Sequence, residues 1–537
     1  MIRALDVENL QREYEHASPY RHVVLPDLMD AALLQSAREE LVKNCHATLK
    51  ETDIYKVYQT GDLANLDGLT DAEKALFPAS MSLRNALYSL EFRKQVSEIV
   101  QCGPLSGKNI DLSVNAYGHT GHLLCHDDVI GSRVVSFILY LVEKDWDSEL
   151  EGGALRLYPL KELGIPETIP SKLIPARFNQ MVMFGVQPGK SFHDVEEVLS
   201  RERPRLAVSG WFHVASEDEL DDWPEHIRLR SNRDLELAPA SIEQLKIASE
   251  DDAITFSPLI ETEEGMNLAS FINAEYLKDA TIRKVSDMFD ENGSTLQLYD
   301  FLKGDIVLSI VESLRRRDSA QGLGNHCRVL DFAAGSSNNW EIIGPPHKRR
   351  YLRLVSSEGG TELDSALFNL SGCFQSALFG QWIEKMIGVK VIGQDVEVRR
   401  FRPGLDYTLA VPQKWNVEGS SESYMVLEAI FTIVDDAAEE FAAAWAQDEV
   451  GGYLTYLDSA PSDRPEEEGH DAAVYKSSDS GSLLSVSACS NSLSLVLKDD
   501  PSILSFVKYL NCAAPGSRLD FHMSFLIAVN EDAHMEE

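Results

Sequence analysis

Three side chains mark where this sequence could do chemistry. His126 and Asp128 sit two residues apart in Cys125-His126-Asp127-Asp128, and His193 follows in Ser191-Phe192-His193-Asp194. In an extended segment His126 and Asp128 share one face while Asp127 points away. Two imidazoles and one carboxylate on one side of an iron(II) ion leave its other positions open for substrate and oxygen. Arg205 opens the run Arg205-Leu206-Ala207-Val208-Ser209-Gly210-Trp211-Phe212. A fixed guanidinium there suits a bidentate grip on a free carboxylate. The set predicts a non-haem iron oxygenase that uses 2-oxoglutarate and O2, with Arg205 on the far carboxylate of the cosubstrate.

Each residue has rivals. An isolated His-x-Asp is more often a surface turn, and only its combination with His193 and Arg205 in a β-rich stretch favours a metal site. His122 shares the parity of His126 on an extended strand, which makes it a stronger competitor than His119 or His213. Arg201 and Arg203 stand close to Arg205, which is preferred because it opens the β run toward Trp211. Asp127 and Asp194 read as turn or supporting residues. A zinc hydrolase could use the same three ligands with water in the fourth position, but no base of the HExxH kind accompanies them.

The elements that must hold these residues are short. Residues 110–116, 122–126, 134–143, 153–158, 180–185 and 205–214 are rich in Val, Ile, Leu, Phe and Tyr and are separated by Gly, Pro, Asp or Asn. That pattern predicts a β-sandwich or barrel rather than a βαβ fold. A jelly roll of two facing sheets would gather strand ends around a central pocket. Ahead of it, a short strand near Val23 leads into an amphipathic helix over 29–41, with Leu33, Leu34, Ala37 and Leu41 apolar and Asp30 as its cap. Residues 46–78 read as loop and short strand, and 82–100 as helix. Residues 216–258 are acidic and read as a connection. Residues 265–317 read as helical, ending in Arg315-Arg316-Arg317, a solvated helix end. From Arg328 short β patterns return, and 459–482, rich in Ser, Asp, Glu and Gly, predict a mobile loop.

At 537 residues the chain is too long for one ordinary core. Its 49 Lys and Arg against 86 Asp and Glu give a net charge of -37, which repels nucleic acid and anionic membrane and would attract a basic partner. Seven cysteines, widely spaced and without a CxxC pair, argue against a disulfide framework and for a reducing compartment. The start of the sequence lacks the apolar stretch of a signal peptide, and no apolar run is long enough to span a bilayer. Cytoplasm and nucleus are the expected locations.

The second half echoes the first. Asp111–Asp128 and Asp395–Val411 align by eye, with Tyr117 against Phe401 and Gly121 against Gly404. The run from Val135 to Tyr140 resembles the run from Glu428 to Ile433. Gly152-Gly153 matches Gly451-Gly452, Ser191-Phe192-His193 matches Ser505-Phe506-Val507, and Arg205-Leu206 matches Arg518-Leu519. On this alignment Leu409 and Val411 replace His126 and Asp128, and Val507 replaces His193. The second half is therefore expected to be the same fold with an empty metal site.

These motifs carry a resemblance. Leu124-Cys125-His126-Asp127-Asp128-Val129-Ile130-Gly131-Ser132-Arg133, Glu151-Gly152-Gly153-Ala154-Leu155, Gly210-Trp211-Phe212-His213 and Arg402-Pro403-Gly404-Leu405-Asp406-Tyr407 resemble the eukaryotic ribosomal prolyl hydroxylases over nearly the whole chain. The resemblance implies a mainly β protein with flanking helices, built as two double-stranded β-helix (jelly-roll) domains in tandem, the first active and the second not. The division expected is a catalytic domain over 1–217, a linker over 218–258 and a non-catalytic domain over 259–537. It implies iron(II) on His126, Asp128 and His193, and 2-oxoglutarate on Arg205 with help from Tyr117 and Tyr140. L-ascorbate would keep the iron reduced. The implied activity is peptidyl-proline 3-hydroxylation, with dihydroxylation open. The implied substrate is the basic small-subunit ribosomal protein of the decoding centre, with effects on translation accuracy and termination. One departure is Ala207, where many 2-oxoglutarate oxygenases place serine or threonine. The alternative is an oxygen-responsive scaffold that acts on further protein partners through its second domain.

Overall fold

A computed structural model describes residues 2–230, 254–262, 265–324, 331–412, 415–416, 424–458, 482–499 and 502–528. These form two compact units, one made of residues 2–230 and the other of most described residues from 254 on. The expected loop at 459–482, apart from Ser482, and most of the expected linker lie outside the described residues. The linker's first part does not: Trp223 and Ile227, on and beside the short helix Glu225–Arg228, are buried in the core of the first unit.

In the first unit an antiparallel sheet curls on itself. Its strands run in the order His22–Leu25, Met181–Gly185, Arg133–Tyr140, Arg205–His213, Asp111–Tyr117, Tyr55–Thr60, His122–His126, His193–Val195, Leu155–Leu157 and Lys172–Ile174, with Ala47–Glu51 added to Tyr55–Thr60. The strands expected between 110 and 214 are all present. Two-residue alternation decides which way each side chain points. Along Arg205–His213, Leu206, Val208 and Phe212 join a core with Leu83, Phe92 and Val96 of the helices Pro78–Leu87 and Leu90–Val100. The alternate residues Arg205, Ser209 and Trp211 face a cavity. Asp30 caps the helix Ala31–Asn44 as expected, accepting from the Ala32 and Leu33 N–H groups at 3.1 and 2.9 Å. The single helix expected over 82–100 is two, because Ser89 caps a new one by accepting from Phe92 N–H at 3.3 Å. The stretch 46–78 contains a regular hairpin, Ala47–Glu51 with Tyr55–Thr60.

The second unit repeats the plan. Its larger sheet runs Thr295–Tyr299, Ser492–Lys498, Tyr424–Ile433, Arg518–Ala528, Val391–Phe401, Arg349–Leu354 and Trp340–Ile343, with Tyr407–Thr408 paired to Arg349–Leu354. A smaller sheet joins Ser482–Val486, Leu454–Asp458 and Ile503–Val507. The region 265–317 is not all helix, since Thr295–Tyr299 separates Asp279–Glu291 from Gly304–Ala320. Nor are its last arginines simply solvated. Arg315 binds Asp435 through two nitrogens at 2.5 and 2.6 Å, and Arg317 binds Asp364 at 2.7 Å.

Strand register corrects the repeat. Arg205 lies opposite Tyr117 and Arg518 opposite Phe401, as aligned. Tyr140 lies opposite Ala207, however, and Thr432 opposite Asp520. The counterpart of Tyr140 is therefore Thr432, not Ile433, and Glu428 stands for Ser136. A one-residue slip moves every side chain to the other face. The strand carrying His126 is displaced too. Leu123 lies opposite Tyr55 and Thr408 opposite Arg349, so three residues on, Val411 stands for His126. Asp128 then corresponds to position 413, outside the described residues. Val195 pairs with Leu155 and Leu123, while Val507 pairs with Leu454 and donates its N–H to Thr408 Oγ at 2.7 Å. Ser505, not Val507, therefore stands for His193. The conclusion survives the shift, because neither Val411 nor Ser505 replaces an imidazole.

Candidate active site

His126 ends one strand and His193 opens its neighbour, directly opposite in register. Their rings lie 4.2 Å apart. Asp128 reaches them by a different route from the one the sequence suggested. The strand stops at His126, and Asp128 takes the left-handed conformation with φ +63°. A turn, not the alternation of an extended strand, folds the carboxylate back. Its Oδ1 comes within 3.2 Å of His126 Nε2 and its Oδ2 within 3.4 Å of His193 Nε2. Among the described residues these three form a buried group whose ligand atoms all lie within 4.8 Å of one another.

The donor set fits a metal. Nδ1 of His126 lies 2.8 Å from the Leu124 carbonyl, and Nδ1 of His193 lies 2.9 Å from the Ser191 carbonyl. A carbonyl only accepts, so both Nδ1 atoms carry the proton and both Nε2 lone pairs face the common centre. Burial pushes the Asp128 carboxyl up, but where His193 and His126 are protonated at Nε2 their charge outweighs it and holds the group well below the usual carboxylate range, and a bound cation would take the place of those protons. Ser136 Oγ donates to Asp128 Oδ2 at 2.8 Å, the kind of supporting bond that orients a ligating carboxylate. His122 is not in this set. Between the paired positions one residue on the His193 strand, Asp194, faces two on the His126 strand, Leu124 and Cys125. That bulge reverses the parity, so Leu123 and His126 line the cavity and His122 does not.

Arg205 is 1% exposed. Its guanidinium lies 5.1 Å from the Tyr117 ring and 4.8 Å from the Tyr140 ring. Nε donates to the Gly153 carbonyl at 3.1 Å, while Nη2 and the Tyr140 hydroxyl are buried without a hydrogen-bond partner. A buried charged donor left open costs several kcal/mol unless an anion completes it. A dicarboxylic acid has such a group. Burial pushes the Tyr117 hydroxyl up to about 12, so it stays protonated. The rivals face elsewhere. Arg203 binds Glu151 at 2.7 Å and Asp145 at 2.6 Å, and Arg201 is exposed.

A cavity of about 350 Å³ joins these groups. It runs from Arg205 and Tyr117 past the triad to Asp111, Arg133 and Trp211, with Lys50 and Gln59 of the hairpin along one side. Arg133 lies 3.5 Å over the Trp211 ring and donates to Asp111 Oδ2 at 3.1 Å. The indole N–H of Trp211 is buried and has no partner. The roles of Ser136, Arg133, Trp211, Lys50 and Gln59 were not read from the sequence. Trp211 was within reach, since it shares the parity of Arg205.

The corresponding cavity of the second unit is about 50 Å³. Arg518 bonds the Gly452 carbonyl, as Arg205 bonds Gly153, but its Nε also meets Asp520 at 2.8 and 3.0 Å and its Nη2 meets Thr432 at 3.2 Å. The cavity centre holds the buried carboxylate of Glu428, paired with Lys498 and accepting from Tyr456 at 2.9 Å.

Residues 112–213 match the 2OG-Fe(II) oxygenase superfamily, and residues 263–533 match the oxoglutarate and iron-dependent oxygenase degradation C-terminal domain. Among curated proteins, the prolyl 3,4-dihydroxylase OGFOD1 of Ostreococcus tauri is 34% identical over 531 residues, covering 96% of each chain. The prolyl 3-hydroxylase OGFOD1 of Xenopus laevis is 32% identical, covering 62% of this chain and 53% of its own. That of Mus musculus is 30% identical, covering 70% of this chain and 56% of its own. The resemblance read from the motifs holds, and with it the expectation of a mainly β fold. This chain belongs to the 2OG-Fe(II) oxygenase superfamily, in the group that carries the degradation C-terminal domain, and is a 2-oxoglutarate-dependent dioxygenase.

Proposed function

We propose that this enzyme hydroxylates a prolyl residue of a basic protein, the small-subunit ribosomal protein of the decoding centre, and so acts on translation accuracy and termination in cytoplasm and nucleus. The carrying observation is the cavity itself: three converging ligand atoms in its middle, and an open buried arginine at its inner end. The names of the relatives support proline as the target and its 3-position as the site of attack, and the dihydroxylase name of the Ostreococcus tauri relative supports a second hydroxylation. The net charge of -37 supports a basic partner.

In this reading His126, Asp128 and His193 hold iron(II), and Arg205 grips the far carboxylate of 2-oxoglutarate. Bound together with O2, iron and cosubstrate supply the oxidation: one oxygen atom enters a prolyl C–H bond, the other enters succinate, and CO2 leaves. The chain's own residues bind and orient. Tyr140 offers its open hydroxyl to the carboxylate, a contact that Ala207 cannot make, and Tyr117 closes the other side of the guanidinium. Together they exclude water from the inner end. Trp211 and Arg133 form the outer wall, where the indole N–H can meet a peptide carbonyl. L-ascorbate would keep iron held by these three residues in the ferrous state.

The test is mass spectrometry of a basic proline peptide incubated with enzyme, iron(II), 2-oxoglutarate and O2. One or two oxygen atoms should be gained on proline, with succinate formed, and Asp128→Ala should give neither. Oxygen insertion that ignores 2-oxoglutarate, or none on any proline, would overturn the reading.

A further inference from the structure

Asp127 has no ligand role, yet it is tied to the segment that carries the other histidine. Its Oδ2 accepts from the Gly189 N–H at 2.9 Å, and its main-chain carbonyl accepts from Ser191 Oγ at 2.9 Å. Ser191 is fully buried, and its Oγ also accepts from the Gln187 N–H at 3.0 Å. The Ser191 carbonyl in turn fixes Nδ1 of His193. One clasp therefore joins the residue before Asp128 to the residues just before His193. It sits beside the positive φ of Asp128, a conformation that a non-glycine residue keeps only where its surroundings fix it.

The second unit supplies an internal control. With Val411 standing for His126 and Ser505 for His193, the clasp positions fall on Pro412 and Ile503. Neither side chain can make the clasp. The adjoining strands still meet, through the bond from Val507 N–H to Thr408 Oγ, the counterparts of Val195 and Leu123. The strands of this fold therefore meet without a clasp, and the clasp occurs in the unit that has the three ligands.

We propose that Asp127 is a positioning residue, whose two bonds to the Gly189–Ser191 segment hold Asp128 and His193 at the separation a metal ion needs. It acts through the ligands and touches neither metal nor substrate. The inference rests on the triad being the iron site.

The test uses the full chain and Mn(II) alone. Calorimetry gives the Mn(II) dissociation constant for wild type, Asp127→Ala, Ser191→Ala and Asp127→Asn, and thermal melting is followed without metal. The two alanine variants should raise the dissociation constant about 10- to 100-fold, the usual range for groups that orient ligands. Asp127→Asn keeps an oxygen for Gly189 and should recover most of the loss, and the metal-free melting temperatures should stay close to wild type. Unchanged Mn(II) affinity in Asp127→Ala overturns the proposal. So does a fall in metal-free stability that Asp127→Asn does not restore along with affinity. Wild type that binds no Mn(II) would instead overturn the metal site and the clasp together.

Discussion

In the first unit an arginine at the head of a strand bonds a glycine carbonyl and keeps a second buried nitrogen open. In the second unit the counterpart arginine bonds the counterpart glycine and is then closed by Asp520 and Thr432. The backbone devices around both are the same. Gly152 and Gly451 have φ of +74° and +71°, and a Cβ at either would strike a main-chain oxygen, of Glu197 or of Tyr509. A frame that needs glycine twice at one point is conserved in shape by its own sterics. What differs is where the charges end. Open donors around a cavity invite a ligand, while the same donors closed on the chain's own carboxylates become part of the core.

Removing a ligand should break the first site outright. Asp128→Ala should lower peptide hydroxylation and uncoupled 2-oxoglutarate turnover by more than about 100-fold, beyond the effect usual for supporting groups. Succinate release measured against wild type checks this. Activity within tenfold of wild type would mean that the carboxylate is not a ligand and that the contrast with Val411 and Ser505 has no functional content.

The converse change opens the closed arginine. Asp520→Ala leaves Arg518 buried with its Nε no longer paired, and breaking such a pair costs about 3–5 kcal/mol. Denaturant unfolding of the second unit should shift accordingly. No 2-oxoglutarate site should appear, because Glu428 still fills the cavity centre. Equilibrium dialysis that finds a second equivalent of 2-oxoglutarate in this variant would show a latent site and dissolve the distinction between the units.

Arg205→Lys sharpens the comparison from the open side. Lysine keeps the charge and loses the planar fork. The KM for 2-oxoglutarate should rise about 10- to 100-fold, the equivalent of a lost charged hydrogen bond, with Mn(II) affinity unchanged. A metal affinity that fell in step would assign Arg205 to the support of the triad.

Much of this was legible before any coordinates. The first unit's strands carry alternating or continuous apolar runs bounded by turn residues, and the three side chains that converge in the cavity were picked out from residue type and spacing. The reason given for His126 and Asp128 was nevertheless wrong, since a left-handed φ at Asp128 does the work assigned to an extended strand. His122 remained a rival because a bulge adds no mark to the sequence. The repeat slipped by one residue at Tyr424–Ile433, where the last eight residues are all buried. A strand buried on both faces has no alternation to fix its register. Thr295–Tyr299 was absorbed into a helical reading because five residues between two helices are too few to show a period of two.

The smallest expected effect concerns the whole surface. A net charge of -37 is not a property of either cavity, so it should alter arrival and leave chemistry alone. At an ionic strength near 0.15 M, screening limits such steering to about 8 Å. For a basic proline peptide, kcat/KM should therefore fall severalfold as salt rises from low to physiological strength, while kcat at saturation holds. A neutral peptide with the same proline should show a flat response and serves as the control. If both peptides respond alike, salt acts on the cavity or the fold. If neither responds, the acidic surface contributes solubility alone, and recognition of a basic substrate would have to come from contacts inside the first unit's cavity.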